Sequence, residues 1–387
     1  MPTTLIIVPS VPAAPDGDRL FMDIKALDGL TAYARGWPGP VRCLFRRGDR
    51  GTIAFGTSIA PADYPFDLVL VGDDPAADMS NFADAAVVLA AGDNHQDLQL
   101  VDAVSAPVVF IIEYTLATRL QITRLSMGVG LRAAKSLVWT IKTELRRRRT
   151  FRRSSGLQCN GTPAHAAYRR LAPNSLLYFD TRVPDALQID AAQLAAKTAA
   201  MVAGDPLRIA FSGRLEPMKG ADHLVKVAKA LRNRGVPFSL DIYGDGSLRA
   251  AIVAEIAASG LDGQVAVKGP VPFDTVLVPK MIGEVDLFLC CHRQADPSCT
   301  YLETLSCGVP IVGYDNAAFR GVVELGDVGI AVPVDDPAAA AAAIADLASD
   351  RPRLVRMAGT AAKVGAAHSF EKVFATRLAH LREIAGL

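Results

Sequence analysis

Seven short runs of mainly apolar residues punctuate the first 180 positions: Leu5 to Val8, Val41 to Phe45, Leu68 to Val71, Ala86 to Ala90, Val108 to Ile112, Leu157 to Cys159 and Leu176 to Phe179. Runs this short, separated by stretches of helical periodicity, predict buried parallel strands in an α/β layer fold. The rhythm stops between Thr181 and Pro206, where Ala191 to Met201 reads as a short helix or linker, and then resumes. The second series is Ile209 to Phe211, Leu240 to Tyr243, Val265 to Val267, Leu287 to Cys290, Pro310 to Val312 and Ile330 to Val332. Helices fill its gaps at about 218–234, 247–259, 299–307 and 338–349. The last of these opens on Asp336-Pro337, an N-cap followed by proline at the first helical position, so the alanine run Ala338 to Ala343 is a helix.

Two such series in tandem predict two Rossmann-like, doubly wound domains, with a cleft that the carboxyl ends of the strands face. The boundaries fall at 1–185 for the first domain, 186–206 for a linker, 207–368 for the second domain and 369–387 for a C-terminal helix able to pack back on the first. A chain of 387 residues suits two cores rather than one.

Half the residues are hydrophobic and 21% are charged, with 41 basic and 40 acidic side chains, which excludes a disordered chain. The six cysteines form no C-x-x-C pair, and Cys290 beside Cys291 suits neither a disulfide framework nor a zinc site, so a reducing compartment is expected. The start, Met1 to Val8, lacks the basic region and long apolar core of an export signal, which points to the cytoplasm. No apolar stretch reaches the length of about 20 residues that a spanning helix needs, because Arg132 and Lys135 interrupt the longest candidate.

The even total hides one uneven segment. Residues 114–153 carry eleven basic side chains against Glu144 alone, among them Arg146, Arg147, Arg148, Arg149, Arg152 and Arg153. Leu116, Leu120, Leu131, Leu137, Val138, Trp139, Ile141 and Leu145 lie among them. A helix pair of this composition, broken at Gly128 and Gly130, suits the anionic inner face of a cytoplasmic membrane; the alternative is a domain helix with a solvated charged face. Nucleic acid is not expected as a partner, since the patch lacks interleaved aromatics and a binding module.

The richest chemistry lies in the second half. In Ile209-Ala210-Phe211-Ser212-Gly213-Arg214-Leu215-Glu216-Pro217-Met218-Lys219-Gly220, a strand runs into a glycine turn and two cations five residues apart follow its carboxyl end, an arrangement that suits a diphosphate. Tyr243-Gly244-Asp245-Gly246-Ser247-Leu248 repeats the strand, glycine turn and helix, and glycines there would let a ligand approach the backbone. A third stretch, Asp296 to Val312, takes a loop into a helix bearing Glu303 between Leu302 and Leu305; an acid on so apolar a helix needs a partner.

Taken together and in this order, G-R-L-x-x-x-K-G, Y-G-D-G-x-L, L-E-T-L-S-C-G-V-P-I-V and D-D-P-x-x-x-A-x-A-I resemble the donor domain of family four glycosyltransferases with the GT-B fold, over residues 207–350. The resemblance implies that Arg214 and Lys219 hold the donor's diphosphate and that Glu303 binds the ribose hydroxyls. It further implies donor contacts from Gly213, Gly244, Gly246, Asp296 and Ser298, with backbone amides from Thr300, Tyr301 and Leu302. The family usually carries another glutamate eight residues before Glu303, where this chain has Ala295; Asp296 and Gln294 flank the gap, and Asp296 is either a sugar ligand or a cap ahead of Pro297.

In the first domain the resemblance implies an acceptor loop at Asp16, Gly17 and Asp18, and a sugar contact at one of two strand ends, where His95 and Glu113 are the candidates. His165, His223, His368 and His380 are read as structural, and His292 as the one histidine of the second half to test. The family retains anomeric configuration, using the leaving phosphate as proton acceptor, and needs no metal or other cofactor. The expected activity is therefore transfer of a sugar from a UDP- or GDP-linked donor to a lipid-linked or glycan acceptor in cell-envelope polysaccharide, lipopolysaccharide or glycolipid synthesis. The alternatives are a sugar-nucleotide epimerase of the same fold and a degenerate nucleotide-sugar-binding scaffold.

Overall fold

A computed structural model describes residues 3–53, 56–127, 131–204 and 206–387. The break expected at Gly128 and Gly130 lies outside the described residues. By contact the chain divides into two units, residues 1–178 with 371–387 and residues 179–370.

The first unit is built on a parallel sheet of seven strands: β1 (Thr4–Val8), β4 (Val41–Arg46), β6 (Asp67–Val71), β7 (Ala85–Ala91), β8 (Val108–Ile112), β9 (Gly156–Asn160) and β10 (Asn174–Tyr178), in the order β10-β9-β8-β7-β1-β4-β6. Strands β1, β7 and β9 are buried along their whole length, as strands covered on both faces are, whereas β6 and β10 at the two edges are mostly half-buried. The order reverses between β1 and β7, the place where open α/β sheets bind ligands.

Beside this sheet lies a smaller antiparallel one that the apolar rhythm does not announce, made of β2 (Ala13–Asp16), β3 (Arg19–Asp23) and β5 (Gly56–Ile59). Asp16, Gly17 and Asp18, expected as an acceptor loop, lie at the tip of a β2–β3 hairpin. Gly17 takes φ +66°, the left-handed turn that glycine tolerates. Asp16 is engaged by Arg50 at 3.1 Å and by the Ser58 hydroxyl.

The second unit carries a parallel sheet of six strands: β11 (Leu207–Ser212), β12 (Phe238–Tyr243), β13 (Val265–Gly269), β14 (Leu287–Cys290), β15 (Ile311–Tyr314) and β16 (Gly329–Val332). The order is β13-β12-β11-β14-β15-β16, reversing between β11 and β14. One core cluster joins β11, β12 and β14 to the helices on both faces, including the alanine-rich helix Pro337–Ser349, which Asp336 caps by accepting from the Ala339 amide.

Four helices matter below: α1 (Leu131–Phe151), α2 (Ala191–Ala203), α3 (Thr300–Ser306) and α4 (Phe370–Ala385). The stretch read as linker holds α2, which opens with a reciprocal capping box between Asp190 and Gln193. From α4, Phe374 packs edge-on to Tyr33 and Arg377 exchanges hydrogen bonds with Gln158, so residues 371–387 complete the first unit. No described helix is long and apolar enough to cross a membrane.

Candidate functional site

The second unit gathers its chemistry where β11 and β14 part. After β11, the Gly213 amide donates to Tyr243 O at 3.0 Å and the Leu215 amide to Asp245 O at 2.8 Å, which stitches this turn to the one after β12. A Cβ at Gly244 would stand 2.0 Å from Gly213 O, and one at Gly246 2.6 Å from Leu215 O. The close backbone approach that demands these glycines is thus one turn against the other, rather than a ligand against either. Glu216, unremarked in the sequence, ties the same turns by accepting from the Ser247 amide at 2.9 Å and hydroxyl at 2.6 Å.

Lys219 sits on the short 3₁₀ turn Pro217–Lys219, ended by Gly220 at φ +64°. Gly220 presses on the loop after β14, where any Cβ would fall 1.9 Å from Cys291 O, so only glycine lets the two loops cross here. Arg293 of that loop fixes the crossing. Its guanidinium donates to Pro217 O, to both oxygens of Asp222 at 2.6 and 2.8 Å and to Asp335, and pairs with His223 Nε2 at 2.8 Å. Hydrogen bonding to Asp222 holds the Arg293 pKa above its usual value.

The two cations differ in state. Arg214 is exposed, with only Met218 Sδ at 3.7 Å from Nη2 among its recorded hydrogen-bond partners. Lys219 is buried and donates from Nζ to Asp296 Oδ2 at 2.9 Å. Asp296, expected as a sugar ligand or a cap, has a lysine partner in this structure, with its second oxygen buried and unpaired. Two neighbours share that condition: Gln294 Oε1, and both ring nitrogens of His292, which is 1% exposed. Burial, then Lys219 and Arg214, push the His292 pKa well below the usual imidazole value, so the ring is neutral.

Glu303 lies on α3, 9% exposed, and its partner comes from the start of the unit: Arg182 Nε donates to Oε1 at 2.8 Å while its guanidinium stacks over Phe273 at 4.0 Å. Ser298 donates its amide to Asp296 O at 2.8 Å, and the amide of Tyr301 is turned inward to Ser298 O at 3.3 Å. The Tyr301 side chain is buried under Asn316, and Leu302 is buried as well; Thr300 is half-buried at the helix start. Ala295 is buried beside Asp296 and offers no side-chain acceptor.

In the first unit, β7 and β8 end side by side. His95 is exposed, its ring edge-on to Trp139 with centroids 5.8 Å apart, and Glu113 is half-buried with its amide donating to Asp93 Oδ2 at 2.7 Å. The arginine run divides. Arg146, Arg149, Arg152 and Arg153 are exposed, Arg153 pairing with Asp102; Arg148 is half-buried on Glu144 at 2.8 Å. Arg147 is 0% exposed, which removes it from the set expected at a membrane: the helical phase of α1 points it into the unit, where it donates to Gly92 O, Tyr114 O, Asp93 and Glu144.

Residues 197–364 match the family model for glycosyl transferases group 1. The chain is 29% identical over 140 residues to a 2-deoxystreptamine glucosyltransferase of Streptomyces kanamyceticus, covering 34% of this chain and 35% of that one. It is 27% identical over 186 residues to a GDP-mannose-dependent α-(1-6)-phosphatidylinositol monomannoside mannosyltransferase of Mycolicibacterium smegmatis, covering 47% and 48%. These matches span about a third to a half of the curated relatives' length.

Among solved structures, Anabaena HepE in complex with UDP superposes with a TM-score of 0.68 at 14% identity over 100% of both chains. Sucrose-phosphate synthase of Thermosynechococcus elongatus gives 0.67 at 14% over 98% of each. The motif-bearing segment, residues 197–364, thus matches the group 1 glycosyl transferases, and the two parallel sheets give the chain the GT-B fold of these solved structures.

Proposed function

We propose that this protein is a retaining glycosyltransferase that moves a sugar from a nucleotide diphosphate donor to a membrane-linked glycan or lipid. The observation that carries the reading is the junction of β11 and β14, where Arg214 and Lys219 follow one strand and the Glu303 helix follows the other. A departing nucleoside diphosphate develops negative charge, and two fixed cations beside buried surface stabilise it more in the transition state than in the ground state. Arg214 meets the phosphates from solvent. Lys219 reaches them by leaving Asp296, whose freed carboxylate then turns to donor-sugar hydroxyls in place of the glutamate this chain lacks at Ala295. Glu303, oriented by Arg182, takes the ribose hydroxyls.

The two cations serve where other transferases use a divalent metal, and the leaving phosphate takes the acceptor's proton, so transfer on one face of the sugar calls for no separate protein base. The acceptor meets the first unit near Glu113 and His95, and the exposed side of α1 rests on an anionic membrane surface. A relative acting on a phosphatidylinositol mannoside and exposed Arg146, Arg149 and Arg152 support a lipid-linked acceptor over a soluble one.

A thermal-shift panel of UDP-, GDP- and ADP-sugars tests the reading, run on the parent and on Arg214→Ala and Glu303→Ala. One nucleotide class should raise the parent's melting temperature, and each substitution should abolish most of that rise. A parent indifferent to all three classes would remove the donor site.

A further inference from the structure

Helix α1 is built inside out. The side it turns into the first unit is polar until Phe151 at its end: Thr140, Thr143, Glu144, Arg147 and Thr150 are all buried there. The side it shows to solvent carries Val138 at 66% exposure, Trp139 at 51% and Leu145 at 55%, with Lys142, Arg146 and Arg149 between them. A helix held by its apolar stripe would have the reverse pattern. This one is held by a buried charge network together with Phe151 at its last turn, and the apolar side chains of its outer face stay 51–66% exposed at Val138, Trp139 and Leu145.

The network ends at the strand tips. The Arg147 guanidinium donates from Nε to Gly92 O at 3.0 Å, from Nη1 and Nη2 to Tyr114 O at 3.2 Å each, and from Nη2 to Asp93 Oδ1 at 2.8 Å. Asp93 Oδ2 then accepts the amides of Glu113 at 2.7 Å and Tyr114 at 3.3 Å. One side chain of α1 thus bridges the ends of β7 and β8. Glu144 and Tyr168 fix its position: Nη1 lies 3.3 Å from Glu144 Oε2, and the Tyr168 hydroxyl donates to Glu144 at 3.0 Å. A second link runs over the surface, where the half-exposed Trp139 touches His95 on the loop after β7.

We propose that Arg147 is a positioning residue that transmits contact between α1 and an anionic bilayer to the ends of β7 and β8. The outer face fits such a bilayer by composition, apolar side chains entering the interface and cations meeting lipid phosphates. Burying that face adds to the apolar anchorage that Phe151 gives α1 and holds the helix where Arg147 spans both strand ends. The strand ends that carry Asp93, His95 and Glu113 are then ordered at the membrane and looser away from it. This rests on the membrane contact proposed above.

Hydrogen exchange read with and without vesicles of phosphatidylglycerol and phosphatidylcholine tests it, alongside Trp139 fluorescence; the other tryptophan, Trp37, is buried with its indole N–H bonded to Thr3 O. In the parent, vesicles should shift Trp139 emission to the blue and slow exchange at the Glu113 and Tyr114 amides about tenfold. In Arg147→Lys, whose ammonium cannot span both strands, the blue shift should persist and the slowing should vanish. Leu145→Glu, an exposed change that leaves the network intact, should lose both effects and keep the vesicle-free exchange rates, which guards against misfolding of the lysine variant.

A parent whose Trp139 shifts while the two amides exchange unchanged overturns the proposal, as does slowing that survives Arg147→Lys. Absence of any Trp139 shift overturns the membrane contact itself, and with it this inference, while leaving nucleotide binding by the second unit standing.

Discussion

The two parallel sheets end in opposite chemical states. At the ends of β7 and β8 in the first unit, a buried guanidinium has taken up backbone carbonyls and carboxylates from both strands, and the carboxylate beside it accepts two amides. At the ends of β11 and β14 in the second unit, Lys219 has one recorded partner, and His292, Gln294 and Asp296 keep buried polar atoms unpaired. Buried polar groups left unpaired cost about 1–3 kcal/mol each, so each calls for a partner. The same architecture thus yields one strand end that Arg147 saturates and one that is left unsaturated at His292, Gln294 and Asp296.

Breaking the saturated end has the largest expected effect. Arg147→Ala leaves the half-buried Asp93 without its 2.8 Å partner and removes one of the cations around buried Glu144, Arg148 remaining, and loss of one partner of such a pair destabilises by about 3–5 kcal/mol. Urea unfolding should show this, whereas Arg214→Ala, at an exposed side chain, should stay within about 0.5 kcal/mol of the parent. Equal losses in the two variants would erase the contrast.

Next comes the Lys219 ammonium. A hydrogen bond to a charged group contributes about 1.5–3 kcal/mol, so Lys219→Met should weaken nucleoside diphosphate binding about 10- to 100-fold in calorimetry. Unchanged affinity would show that Asp296 never releases the lysine.

The unsaturated end can be sharpened from the stability side. His292→Phe keeps a ring against Phe211 and Tyr301 while deleting two unpaired nitrogens, and should raise unfolding stability by about 1–2 kcal/mol. A fall of similar size would mean that the imidazole holds the fold. The smallest effect concerns Lys197 on α2, whose ammonium donates to Met281 O, Ile282 O and Val285 O at 2.6–2.8 Å. Burial lowers its pKa to about 8 from 10.5. Because the unfolded chain then binds the proton more tightly, this group's contribution to stability rises between those pH values. Denaturation midpoints across that window should show an upward term in the parent that is missing from Lys197→Met.

What could be read from the chain and what could not divides along physical lines. Strands β1 and β7 were legible because a strand covered on both faces is apolar nearly throughout, and β11 because a glycine turn and two cations follow it. The antiparallel sheet was not legible. Ala13–Asp16 includes proline and aspartate, and only pairing with β3 makes it a strand. Arg147 was hidden inside four consecutive arginines, although Thr140, Thr143, Glu144, Arg147 and Thr150 recur at helical spacing and might have been read as one buried polar face. Arg182 stands 121 positions from Glu303, beyond any local pattern.

By itself the sequence determined the α/β class, the two parallel sheets and the residue types at the ends of β11 and β14, since each follows from periodicity or from chemistry within one short segment. Tertiary structure alone decided how those residues are occupied. Lys219 meets Asp296, Glu303 meets Arg182, and the glycines of two turns serve each other. Partnership and burial depend on which segments the fold brings together, and no local pattern of side chains encodes that.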